Sequence, residues 1–132
     1  MKILTFIGLF AYGFSNLVHA EPLTCHTGPV VIEIAQGNWQ VTSCSDSKSL
    51  VFVTMKDNPS MPFVFIVKRS ADEVSIRGEG NGNKVFTQQA YLALKGMSMA
   101  NFDELVQATL QIQNTSSQTQ KIYEKTDHSR VN

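Results

Sequence analysis

The sequence predicts an α+β fold: an antiparallel meander of about five strands, followed by two C-terminal helices packed on one face of the sheet. Three features carry that expectation. Residues 50–55 (LVFVTM) and 63–67 (FVFIV) are short runs rich in β-branched and aromatic residues, residues 74–77 (VSIR) alternate, and from Lys84 the apolar spacing takes a helical period.

At 132 residues the chain suits one domain and is short for two cores. Eleven basic residues balance eleven acidic ones, so no field of one sign points to nucleic acid or an anionic membrane surface. The first twenty residues read as a secretory signal: Lys2 as the charged region, Ile3 to Phe14 as the apolar region, and Val18-His19-Ala20 before the cut. Ser15, Asn16 and His19 break the apolar run before it reaches the roughly 18 to 20 residues a bilayer span needs. No stable membrane span is therefore expected after cleavage. The expected organisation is a signal peptide over 1–20, a single α+β domain over 21–113 and a flexible polar tail over 114–132.

Export, to a periplasm or to the outside, gives the two cysteines their meaning. Cys25 and Cys44 are the only pair, and an oxidising compartment favours a disulfide between them. The first hairpin it would close has Val30, Ile32 and Ile34 on one face, a turn at Gln36-Gly37-Asn38, and a return strand from Trp39 to Cys44. In that register Cys25 lies too far upstream to oppose Cys44, so residues 25–27 are expected to fold across the sheet.

The third strand begins after the polar loop 45–49, and the fourth after residues 56–62, whose two prolines forbid helix. A tight reverse near Arg69 to Asp72 leads into the fifth. Pairing Lys68 with Glu73 would put Val67 opposite Val74 and Phe65 opposite Ile76. Residues 78–84, with three glycines and two asparagines, lead from this strand into a helix. Gly78, Gly80, Asn81, Gly82 and Asn83 are a weak anion-loop candidate, and a turn with an asparagine cap explains the same residues.

In the first helix Phe86, Ala90, Ala93, Leu94 and Met97 form one stripe that Gly96 ends. The second has Asn101 and Glu104 spaced as a capping box, with Phe102, Leu105, Val106 and Leu110 on one side. Beyond Gln113 the chain is polar.

Chemistry is sparse. His26 and His128 are the histidines of the mature chain, and no HxH, HExxH, GxSxG or clustered carboxylate pattern occurs. Met97 and Met99 form an MxM pair whose thioethers would suit Cu(I), but methionines at helical spacing are more often core filler. No catalytic residue, metal or cofactor is expected.

The functional clue is apolar surface on both sides of the middle strands. If Phe63 and Phe65 face the core, Val64 and Ile66 face away, and the third strand is apolar whichever side is taken. Either a helix or the tail of the chain itself lies over this second surface, or it meets a second copy, a protein partner or an apolar ligand. Phe52, Val64 and Ile66 are accordingly the candidate partner surface. The expectation is a small exported binding module acting by protein–protein contact, inhibitor-like or immunity-like. Its partner is an unidentified protein or a second copy of the chain. The alternatives are a small exported hydrolase using His26 with carboxylates, and a structural component of the cell envelope.

Overall fold

The computed structural model describes residues 21–128, so the signal expected over 1–20 lies outside the described residues. Five antiparallel strands follow one another in chain order across one sheet: β1 (Thr27–Ile34), β2 (Gly37–Ser43), β3 (Leu50–Thr54), β4 (Phe63–Arg69) and β5 (Val74–Gly80). Two helices follow, α1 (Lys84–Lys95) and α2 (Met99–His128), and the fold is α+β as the periodicities require.

β2 sets the inside and the outside. Trp39, Val41 and Ser43 are buried while Asn38 and Gln40 are exposed, the two-residue alternation of a sheet with one covered face. Register carries the pattern across: Val41 pairs with Phe52, and Phe52 with Phe65. These side chains meet Ala90 and Leu94 of α1 and Phe102 and Val106 of α2 in one core. Polar atoms in that core are matched. Trp39 Nε1 donates to Ile34 O at 3.2 Å, and the Ser43 and Thr109 hydroxyls lie 2.7 Å apart.

Three turns differ from the sequence expectation. Ile34 pairs with Gly37, which leaves Ala35 and Gln36 as a two-residue turn with φ of 49° and 67°, the signs that match hairpin twist. Gly37 is instead a strand residue. A Cβ there would stand 2.5 Å from the Asn58 side chain, whose Nδ2 donates to Asn38 O at 2.7 Å and whose Oδ1 accepts from Ser60 N at 2.8 Å.

At the other end of this hairpin, residues 25–27 do not cross the sheet. An irregularity between Thr27 and Val30 brings Thr27 opposite Ser43. Gly28 takes a φ of +113° within it. Upstream, Ser45 N donates to Thr24 O at 2.7 Å and Thr24 N to Ser45 Oγ at 3.2 Å, so the chain continues alongside β2. The Cys25–Cys44 disulfide closes this end.

Between β4 and β5 the predicted register is off by two residues. Lys68 faces Ser75 and Val67 faces Ile76, because the loop is four residues long and is closed by Ser70 N donating to Glu73 O at 2.9 Å. The shift keeps the faces but sets Gly78 against Phe65 and Gly80 against Phe63. A Cβ on Gly78 would come within 2.7 to 2.9 Å of both rings, so only glycine lets them lie flat there.

α1 starts as expected from Asn83, whose Oδ1 accepts from Val85 N at 2.9 Å. Its buried residues are Thr87, Ala90 and Leu94, and Ala93 is exposed. The capping box of α2 lies one turn upstream of the predicted one: Asn101 N donates to Ser98 Oγ at 3.2 Å, and Ser98 N donates back to Asn101 Oδ1 at 2.9 Å. At its far end α2 runs on through 114–128, the stretch read from sequence as a tail. The hydroxyls of Thr115, Ser116, Ser117 and Thr119 each donate to the carbonyl four residues back.

The loop between β2 and β3 is held by charge. Arg69, its side chain only 7% exposed, donates through Nε to Lys48 O at 2.8 Å and pairs with Asp103 at the start of α2. Within the loop, Asp46 accepts from Lys48 N, Ser49 N and Ser49 Oγ at 3.0, 2.8 and 2.7 Å. Desolvation pushes this carboxyl up, but the Ser49 hydroxyl and the backbone N–H groups together hold it below its ordinary value. A carboxyl lowered in the folded state contributes stability above the ordinary value of 3.8, lost as pH falls through the folded value. Asp46→Asn is therefore expected to be less stable than the parent at pH 6, with the gap closing below pH ~4 in urea-midpoint measurements.

Candidate functional site

Both helices lie on the Trp39 side of the sheet, packed against β1, β2 and β5. The opposite face is open among the described residues. Its centre is formed by alternate residues of the two middle strands: Val51 pairs with Ile66 and Val53 with Val64. Val53 is 44% exposed, and Val51, Val64 and Ile66 are half-buried, shielded in part by one another and by their neighbours.

This quartet has a defined border. On the β2 side Thr42 stands beside Val51 and Gln40 beside Val53. On the β5 side Arg77 stands beside Ile66 and Glu79 beside Val64, and these two charges pair at 3.1 Å. Beyond Gln40, Val31 of β1 is 56% exposed and extends the apolar row toward that edge. Chemically the face can do one thing well: exclude water against a surface of matching shape, with Arg77, Glu79 and, two residues along β4 from Ile66, the exposed Lys68 at its rim.

The structure divides the predicted surface. Val64 and Ile66 stand on the open face, but Phe52 does not: it is fully buried between Val41 and Phe65. The physical reason is register, because β3 inherits its inside from β2, whose inward side carries Trp39 and Val41. Val51 and Val53 take the place assigned to Phe52. The strict alternation of Trp39-Gln40-Val41-Thr42 was the available signal for them, once β3 is paired to it.

The glycine-rich stretch is accounted for by structure. Gly78 and Gly80 belong to β5 beneath the two phenylalanine rings, and Asn81 N donates to Pro62 O at 3.1 Å. A Cβ on Gly82 would stand 1.8 Å from Ser60 O, and Asn83 caps α1. None of these observations gathers N–H groups around a common point.

The hydrolase alternative needs a carboxylate near His26. His26 precedes β1 at one edge of the sheet, whereas Glu79 stands on β5 at the other, paired with Arg77. Among the described residues no three of His, Cys, Asp and Glu cluster as a metal site would require. Met97 packs against the core, and Met55 and Met61 belong to the β3–β4 loop. No helix among the described residues is long and apolar enough to cross a membrane. Comparison with protein-family models, curated proteins and solved structures finds no match in any of the three.

Proposed function

We propose that the protein is a small exported binding module that acts by protein–protein contact through the open face of its sheet. The observation that supports this reading is the quartet Val51, Val53, Val64 and Ile66, uncovered among the described residues while both helices pack on the opposite face. The Cys25–Cys44 disulfide is compatible with export. The occupant is a folded protein with aliphatic side chains at its centre and a charge of each sign to meet Arg77 and Glu79. Such a contact acts by occupying its partner, as an inhibitor or immunity-type protein does.

The test separates surface from stability. Ile66→Asp, pointing outward from a half-buried position, is expected to lower the melting temperature by about 10 °C or less and to leave the protein folded at 25 °C. A photo-cross-linker placed at position 53 is expected to give one discrete adduct in the native cell fraction, lost when Ile66→Asp is added. An adduct of twice the chain's mass would identify the occupant as a second copy. A folded Ile66→Asp variant that keeps the adduct removes the open face from the function.

A further inference from the structure

A second surface lies on the other side of the sheet, along the seam between β5 and α1. Thr87 sits near Gly82 at the Phe63 end, and Tyr91 stacks on Phe65 with ring centroids 6.5 Å apart. α1 therefore runs alongside β4 in the same direction, back along β5. Between them is a cavity of about 230 Å³, with Phe63, Phe65 and Gly78 on the sheet side and Thr87, Gln88 and Tyr91 on the helix side. Its floor is the pair of phenylalanine rings, which lie over Gly78 where β5 carries no side chain.

β5 is also the less protected edge of the sheet. β1, the other edge, carries a proline and an irregularity, two devices that discourage strand addition. β5 has seven regularly paired residues, contains no proline, and its two charges neutralise each other in the Arg77–Glu79 pair. Among the described residues no strand pairs with its outer side, so a row of backbone N–H and C=O groups is available there.

The charges along the seam specify what could add. Lys84, Gln88, Tyr91 and Lys95 fall at i, i+4, i+7 and i+11, one stripe of α1, with the cavity-lining residues in the middle and a lysine at each end. α1 contains no acidic residue, Lys95 Nζ lies 5.8 Å from the Tyr91 ring centroid, and neither lysine has an ion pair among the described residues. The two lysines are ~16 Å apart along the helix axis. Residues i and i+4 of an extended chain share a face and are separated by ~13 Å, within reach of lysine side chains.

We propose that the β5 edge and the α1 seam bind an extended protein segment. The segment adds as a sixth strand, inserts an apolar or aromatic side chain into the cavity, and carries an acidic residue two positions to either side. This is a site independent of the open face. The probe is a fluorescein-labelled peptide with blocked ends, Ser-Glu-Thr-Phe-Thr-Glu-Ser, titrated into the purified protein by fluorescence anisotropy. Binding is expected in the micromolar range, at least tenfold weaker when the central Phe is replaced by Ser. Lys84→Glu combined with Lys95→Glu, both at exposed positions, is expected to weaken it at least tenfold. A peptide with Lys in place of its two Glu should then bind this charge-reversed variant better than the parent. Amide shifts in β5 are expected on binding, and Ile66→Asp should leave the affinity unchanged. Absence of binding at 1 mM, indifference to charge reversal, or loss of binding in Ile66→Asp would each overturn the proposal, and only the last would return the peptide to the open face.

Discussion

Phe52→Ala is expected to lower the unfolding free energy by about 3 to 5 kcal/mol, and Val53→Ala, one residue along, by well under 1 kcal/mol. The contrast follows from the pleat. Phe52 is fully buried, paired with Val41 on one side and Phe65 on the other, and its truncation leaves a void where Trp39, Val41 and Phe65 meet the helices. Cavity formation adds to the lost transfer energy because a sheet clamped by two helices relaxes little. Val53 stands on the open face and is 44% exposed, so its truncation removes only partly hydrated surface. Urea unfolding of both variants checks this. If Val53→Ala matched Phe52→Ala, the inside and outside assigned to β3 would be reversed.

The same comparison shows which parts of the molecule the residue order determines. Five strands and two helices are readable because their apolar periods differ, and β2 announces its faces through Trp39-Gln40-Val41-Thr42. Registers are harder. Lys68 and Glu73 looked like a cross-strand ion pair, but the chain satisfies Ser70 and Glu73 within a four-residue loop and places Gly78 and Gly80 against aromatic rings. Sequence reasoning weighted one solvent-exposed charge pair, worth a few tenths of a kcal/mol, above the packing of two phenylalanines. Asn58 was missed for a related reason: its value lies in bridging Asn38 and Ser60, and no local pattern points to a partner twenty residues away.

Residues 114–128 illustrate a different limit. Their polarity suggested a mobile tail, because polar composition usually means too little apolar surface to fold against. Yet the chain has neither glycine nor proline after Gly96, and Gln, Lys and Glu are competent helix formers. The hydroxyls that would compete with the backbone instead bond to carbonyls one turn back. α2 thus anchors through Phe102, Val106 and Thr109 on the sheet and continues as an exposed helix from Gln111 to Lys125.

The proposed site was partly visible and partly displaced, and the reason is again the pleat. A residue's membership of one face depends on every register between it and the nearest unambiguous strand, so Val64 and Ile66 were placed correctly by reference to Phe63 and Phe65. Phe52 was misplaced because β3 has no polar residue inside its run to break the tie. A functional surface made of alternating positions on two middle strands is thus only as readable as the strand beside it.

Removing the disulfide, by Cys25→Ser with Cys44→Ser, is expected to cost about 3 kcal/mol, the chain-entropy value for a loop of this size. The loss should be local in its structural effect. Cys44 is buried at the end of β2, while Cys25 precedes β1 in a segment tied to the sheet by Thr24 and Ser45. Without the bond that segment has only exposed hydrogen bonds to hold it, and fraying should stop at the irregularity near Gly28, where Thr109 of α2 packs closely against the backbone. Hydrogen exchange is expected to show protection lost at Thr24, Ser45 and Thr27, while Trp39, Val41 and Phe65, which open only by global unfolding, stay the slowest and speed up by no more than the ~100-fold that the lost stability sets. Faster exchange at the last three beyond that factor would mean that the crosslink sustains the core itself. An unchanged denaturation midpoint would mean that the reduced chain already holds its N-terminal segment in place.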